Sequence, residues 1–243
     1  MNIIKLNAIS STNEYLKALN NSQNLPNFTT VTANYQTNGK GQRGAKWNSE
    51  AGKNLICSIL VKNVIEKPEH LFILNVAVSL AIVQTLKQLT NLHFNIKWPN
   101  DILSENKKIG GILIENSLHY NNKITSIVGI GLNINQPNFE NLPKATSLYN
   151  LSRFEYDIEM ILKNLLNHLK SKMDKFNDDE QNILWEEYHS YLYKLNVPAV
   201  FASDNKENFM AIIKGVNPHG KLLLQHENNL IYEYHIKDVS MLY

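Results

Sequence analysis

The chain has 243 residues, 43% of them hydrophobic and 19% charged, with a formal net charge of +2. That length suits one main domain with a small appendage, and so even a charge balance excludes a global pull toward nucleic acid or membrane, leaving any anion binding to be local. Cys57 is the only cysteine, which excludes an internal disulfide and suits a reducing compartment.

In chain order, no charged leader followed by an apolar core and small-residue cleavage site opens the sequence, so no secretion signal is expected. Ser11-Thr12-Asn13-Glu14 has the spacing of a capping box and predicts a helix from Ser11. Phe28 to Gln36 and Asn54 to Val61 read as strands on either side of a glycine-rich string, and Cys57 within the second reads as a small buried hydrophobe rather than a nucleophile. Pro68 opens a helix running to about Thr90; its apolar run from Leu71 to Val83, interrupted by Asn75 and Ser79, predicts a buried helix too short to cross a bilayer. Phe94 to Trp98, Asp101 to Leu103, Lys108 to Glu115 and Ile124 to Asn133 read as successive short strands, a meander rather than βαβ units. From Asp157 to Leu195 the apolar spacing becomes helical, in two helices split near Asn177-Asp178-Asp179. After Pro198, short strands at Ala199 to Ala202, Phe209 to Val216, Lys221 to Gln225 and Leu230 to Ile236, with a turn at Asp204-Asn205, predict a small β-barrel that begins near Asn196.

All but two of the ten glycines fall in three clusters, Gly39 to Gly52, Gly110-Gly111 and Gly129 with Gly131. Glycine at such positions predicts a backbone conformation or a close approach to a ligand that a Cβ would forbid. Three polar strings surround them: Tyr35 to Trp47, Lys97-Trp98-Pro99-Asn100-Asp101, and Lys107 to Glu115. Gly39-Lys40-Gly41-Gln42-Arg43-Gly44 matches GxGxxG, yet it leads through a turn-like Trp47 to Gly52 segment into a strand, whereas a dinucleotide fingerprint opens a helix. Kinase, Walker and zinc signatures are absent. If the three loops converge, Lys40, Arg43, Lys46, Lys97 and Lys108 form one anion-binding site with Trp47 and Trp98 as flat apolar surfaces. Pro99 fixes a turn able to aim Asn100 and Asp101 into it. Taken singly, each has a plainer reading: Ser11 as a helix cap, either tryptophan as core, Asp101 as a turn residue, Lys107 as a solvated cation.

Taken together and in order, with Gly129-Ile130-Gly131-Leu132-Asn133-Ile134-Asn135 and the terminal strands, these strings resemble those of the biotin protein ligases, also called biotin–acetyl-CoA-carboxylase ligases. The resemblance implies an α+β fold, a mixed β-sheet flanked by helices as in class II aminoacyl-tRNA synthetases, with a catalytic domain over residues 1–195 and an SH3-like C-terminal β-barrel over 196–243. It implies that biotin and MgATP give biotinyl-5′-adenylate, from which a lysine of a biotin carboxyl carrier domain then displaces AMP. By matched position Ser11, Thr12, Asn13, Gln36, Gly39, Lys40, Gly41, Gln42, Lys108 and Gly111 would hold biotin. Arg43, Trp47, Asn100, Lys108 and Asn133 would hold ATP or the adenylate, and Lys108, Arg43 and Asp101 would carry the chemistry, with no metal ligand assigned.

It further implies a cytoplasmic enzyme with neither DNA nor membrane as partner, since the Ser-Thr-Asn string at Ser11 leaves no room for the helix-turn-helix of the family's repressors; it leaves room for a homodimer. Lys40 and Gln42 stand where the family's loop commonly has arginines, which predicts faster leakage of the adenylate. Two other readings stay open: a non-catalytic module for a small molecule or nucleotide, and a lipoate ligase, although that family's Gly-Gly-Gly-His string is missing.

Overall fold

The computed structural model describes residues 2–65, 68–120, 123–140, 142–176, 180–204 and 207–242. It opens with an edge strand, β1 (Ile3–Ile9), that crosses through α1 (Thr12–Gln23) to a parallel neighbour, β2 (Thr30–Gln36). Patterning does not reveal this βαβ unit, because β1 is half covered and mixes Lys5 and Asn7 with its apolar residues. The helix starts where the capping box predicts: Ser11 is the N-cap and its Oγ accepts the Glu14 N–H. The Glu14 carboxylate, however, pairs with Lys40.

The remaining strands of the sheet are antiparallel: β3 (Leu55–Lys62), β4 (Phe94–Lys97), β5 (Asp101–Ser104), β6 (Lys107–Leu118) and β7 (Ile124–Leu132), in the spatial order β1-β2-β3-β7-β6-β5-β4. The last four form the expected meander. Every β3 residue from Leu55 to Val61 is buried because helices cover both faces. Leu55, Cys57, Ile59 and Val61 pack into the main core, while Leu60 joins Leu16, Val31 and Ile127 under α1.

Pro68–His70 forms a single 3-10 turn, and the long helix α2 spans Phe72–Leu89. The later start follows from i→i+3 bonding at the entry, where Leu71 N–H reaches Pro68 O and Leu74 N–H reaches Leu71 O, both at 3.2 Å. With this turn the segment has 22 residues and contains an 18-residue window of mean hydropathy 1.6, long and apolar enough to cross a membrane by those measures, which corrects the expectation that it is too short. Its apolar surface is covered instead, with 72% of the window buried. A helix apolar on all sides needs partners all round. Those partners are the sheet, α4 (Ile158–Met173) and α5 (Gln181–Ser190); a short α3 (Leu148–Ser152) precedes them. Asp157 caps α4 by accepting the Glu159 and Met160 N–H groups, and Ile161, Leu162, Leu165, Leu166 and Leu169 are its buried stripe. The expected split at Asn177-Asp178-Asp179 lies outside the described residues, as does Asn205 of the expected Asp204-Asn205 turn.

The C-terminal strands β8 (Pro198–Ser203), β9 (Asn208–Val216), β10 (Leu222–Gln225), β11 (Ile231–Tyr234) and β12 (Val239–Leu242) form a five-stranded antiparallel sheet in the order β11-β10-β9-β8-β12. Its edge strands β11 and β12 do not pair with each other among the described residues, so the hydrogen bonding stops short of a closed barrel. Phe201, Ile213, Leu222, Leu224 and Val239 belong to the same buried cluster as α2. Trp98 Nε1–H donates to Gly220 O at 3.0 Å, and Gly220 has φ +79° with no room for a Cβ, which would stand 2.3 Å from Phe72 Cδ2.

Gly220→Ala therefore meets both a left-handed backbone and a clash at the junction of the two sheets; we expect a loss of about 2–3 kcal/mol, read as a lower urea midpoint at unchanged slope. Burial pushes the Cys57 thiol up to about 12 from 9.0. The thiolate at pH 8 is then roughly a thousandfold scarcer than for an ordinary cysteine, so iodoacetamide should label the denatured chain and leave the native one unmodified over an hour.

Candidate active site

A cavity of about 280 Å³ opens where the start of α1, the glycine loop, the Trp98–Asp101 turn, β6, β7 and the C-terminal sheet meet. Its lining contains five cations, Lys40, Arg43, Lys46, Lys97 and Lys108, against a single carboxylate, Asp101. The loops thus converge as the sequence predicts, and the excess positive charge suits an anion.

At one end Ser11, Thr12 and Asn13 sit in the first turn of α1, all nearly buried. The Thr12 N–H and Oγ1 both lie against Gln36 Oε1, at 2.7 and 3.0 Å. From Gln36 the chain enters a hairpin in which Trp47 N–H bonds Gly39 O at 2.9 Å and Gly41 N–H bonds Ala45 O at 2.7 Å. The Gly41 amide is thereby spent inside the loop, and the Lys40 ammonium is engaged by Glu14, whose hydrogen bond raises its pKa. At the tip Arg43 and Gly44 both take left-handed conformations, φ +55° and +78°. The exposed Arg43 side chain reaches the cavity wall from there.

Trp47 closes the hairpin and lies over the sheet. A Cβ on Gly131 would stand 2.5 Å from its Cε2, and Gly111, the cross-strand partner of Gly131, faces the same ring. Gly129 is bare for another reason: a Cβ there would stand 2.4 Å from Asn13 Oδ1. The glycines of β7 therefore make room for protein side chains, and both also line the cavity. The buried Trp47 Nε1 has no hydrogen-bond partner among the described residues.

At the other end Asp101 Oδ1 pairs with Lys108 Nζ at 2.6 Å, and its Oδ2 lies 3.7 Å from Lys97 Nζ. Burial lowers the pKa of Lys97, aided by the charges of Lys108 and Lys144 and opposed by Asp101. Lys108 also stands 6.0 Å from the centre of the Trp47 ring, so pocket cation and indole face are neighbours. Asn100 lines the wall, but its amide is committed to Ile112 O at 2.6 Å. From α2, Asn75 Nδ2 reaches Pro99 O at 2.6 Å and braces the turn.

Of the residues assigned from the sequence to biotin, ATP or the chemistry, Gly39 and Asn133 are not in the cavity lining. Gly39 sits beneath Trp47, and Asn133 is turned inward, its amide donating to Thr146 O at 3.0 Å. Sequence reading misses Ser58, Glu115 and Asn75, which stand behind the lining, and Phe201, Ile213, Val239 and Met241 of the C-terminal sheet, which are part of it. Their partners lie far away in sequence, so no local spacing marks them.

Among known proteins, the chain is 31% identical over 196 residues to the bifunctional ligase/repressor BirA of Bacillus spizizenii, a match that covers 76% of this chain and 59% of that relative's length. It is 26% identical over 198 residues to the biotin–[acetyl-CoA-carboxylase] ligase of Mycobacterium tuberculosis, covering 80% of this chain and 72% of the other. The solved biotin protein ligase of Aquifex aeolicus in complex with biotin and ATP superposes with a TM-score of 0.83 at 28% identity, over 99% of this chain and 98% of that one. Residues 6–135, more than half of the sequence, match the model of the biotin/lipoate A/B protein ligases, and the chain belongs to that family.

Proposed function

We propose that the protein activates biotin with ATP to biotinyl-5′-adenylate, releasing pyrophosphate, and passes the biotinyl group to a lysine of a biotin carboxyl carrier domain. The observation that carries this is the pairing, within one cavity, of a polar slot at Thr12 and Gln36 with a cationic end at Lys108, Lys97 and Arg43. Such a site suits an acid whose ring lies in the slot and whose carboxylate emerges at the cations. The Aquifex relative, described with biotin and ATP, fits the same reading. Residues 1–195 would supply the catalytic unit and residues 196–243 an SH3-like module that covers the cavity.

The carboxylate oxygen attacks the α-phosphorus, a C–O–P bond forms, and the bond to pyrophosphate breaks. Negative charge on the phosphoryl oxygens is then met by a fixed ammonium, Lys108, held in place by Asp101. Arg43, at the loop tip, takes the departing pyrophosphate. Trp47 offers its face to the adenine. In the second step the carrier amine attacks the acyl carbon and AMP leaves with the bonding pair. The protein contributes alignment and charge more than covalent chemistry. No group of three or more metal-binding side chains exists among the described residues, so Mg2+ would come largely liganded by phosphate and water, with Asp101 as the one carboxylate at hand. The use of ATP supports the reading of a cytoplasmic enzyme.

ATP–pyrophosphate exchange with purified protein should depend on biotin and proceed with neither lipoate nor an acid-free control; exchange driven by lipoate, or by no acid, sinks the proposal. Lys108→Gln should lower the exchange rate about 10²–10³-fold while biotin binding changes far less.

A further inference from the structure

Behind the slot a relay runs from β6 to β2, buried at its centre and part-buried at its two ends. Glu115 Oε2 accepts from Asn13 Nδ2 at 2.7 Å, Asn13 Oδ1 lies 2.6 Å from Ser58 Oγ, Ser58 Oγ lies 2.7 Å from Thr12 Oγ1, and Thr12 Oγ1 lies 3.0 Å from Gln36 Oε1. Thr12, Asn13 and Gln36 line the cavity, whereas Ser58 and Glu115 do not. Ser58 is wholly buried.

The protons in this relay can be counted. The Asn13 amide nitrogen faces Glu115 Oε2 and, at 3.4 Å, Leu113 O, so its oxygen faces Ser58. Gln36 presents its oxygen because it also accepts the Thr12 backbone N–H. The three remaining oxygen–oxygen contacts, Asn13 to Ser58, Ser58 to Thr12 and Thr12 to Gln36, share only the two hydroxyl protons of Ser58 and Thr12. One contact must lack a proton. Leaving the 2.6 Å contact bare brings two lone pairs closest together, so repulsion is least when the bare contact is the 3.0 Å one. Ser58 then donates to Asn13, Thr12 donates to Ser58, and the Thr12 and Gln36 oxygens face each other without a hydrogen.

We infer that Ser58 and Glu115 are positioning residues which direct the Thr12 hydroxyl proton away from Gln36, making Thr12 Oγ1 and Gln36 Oε1 a paired acceptor that admits an acid carrying a ring N–H and rejects one without it. This rests on the reading of the cavity as a biotin site and deepens it: the ureido ring brings N–H donors, whereas the dithiolane of lipoate has none. The choice between the two acids in this family would thus be made by proton direction, in addition to shape.

The test compares binding of biotin with that of its cyclic-carbonate analogue, in which oxygen replaces both ureido N–H groups at nearly constant shape. Wild type should prefer biotin by on the order of 100-fold or more, because the analogue leaves two desolvated acceptors facing its own oxygens. In Ser58→Ala the Thr12 proton turns onto Gln36. Biotin should weaken roughly 10-fold, the analogue should bind as well as before or better, and the KM for ATP and the exchange rate at saturating biotin should stay within about twofold. Glu115→Gln keeps an acceptor for Asn13 and should retain the wild-type preference; Glu115→Leu lets the Asn13 amide turn over and should narrow it. If both ligands weaken in parallel in Ser58→Ala and Glu115→Leu, these residues are only structural and the inference falls. It falls equally if wild type binds biotin no better than the carbonate, an outcome that leaves the biotin reading standing. If wild type binds neither ligand, the biotin reading fails and this inference with it.

Discussion

The site depends on the contact between the Trp47 indole and a stretch of sheet that has no side chains. Gly111 and Gly131 are cross-strand partners in β6 and β7, and together they leave a bare floor on which the ring can lie. Any Cβ at Gly131 would lift the indole and, with it, the hairpin that Trp47 closes. Arg43 projects from the tip of that hairpin, and Lys108, held by Asp101, stands beside the ring, so one apolar contact brings the loop cation to the fixed one. The sheet itself can carry such a gap because β3 and α2 supply a core apolar enough to hold it.

Much of this was legible in the residues. The glycine string, the Trp98–Asp101 turn and the Lys108 segment were expected to meet, and they do. The meander, the α1 cap at Ser11 and the stripe of α4 followed from period and capping alone. Three kinds of feature were not legible. Edge strands give too little pattern to read: β1 mixes Lys5 and Asn7 among half-covered apolar residues, and β12 is only four residues long. The side chains that the β7 glycines accommodate were not legible, because a bare backbone is equally required by a ligand and by a neighbouring side chain. The relay through Ser58 and Glu115 joins residues 45 and 102 positions from Asn13, and a lone serine in the run Leu55–Val61 carries no mark of its partners.

Polar groups and apolar groups divide the work by depth. The main core runs unbroken from α2 through β3 into the C-terminal sheet, so the two sheets share one set of buried contacts. Three polar side chains at its edge are tied, Asn75 to Pro99, Trp98 to Gly220 and Asn100 to Ile112, whereas the buried hydroxyls of Ser79 and Tyr188 have no partner among the described residues. Each tie fixes a loop of the cavity to the element behind it. Buried polar atoms left without such a tie are costly, which is why the orientation of each amide and hydroxyl around the slot is determined by its neighbours rather than by solvent.

The cavity wall takes Ser11 from the start of α1 and Met241 from β12, with the intervening strands between them. During synthesis, therefore, the first wall residues leave the ribosome long before the last. At a translation rate of about 5–20 residues per second the nascent chain spends roughly 8–30 seconds with Trp47 and α2 made but the last strand of the cavity wall absent. Ligand cannot assist folding during that interval, because there is nowhere complete for it to bind. The cavity stays open on that side until the final strands arrive, and ligand becomes a stabilising influence only on chains that are already finished.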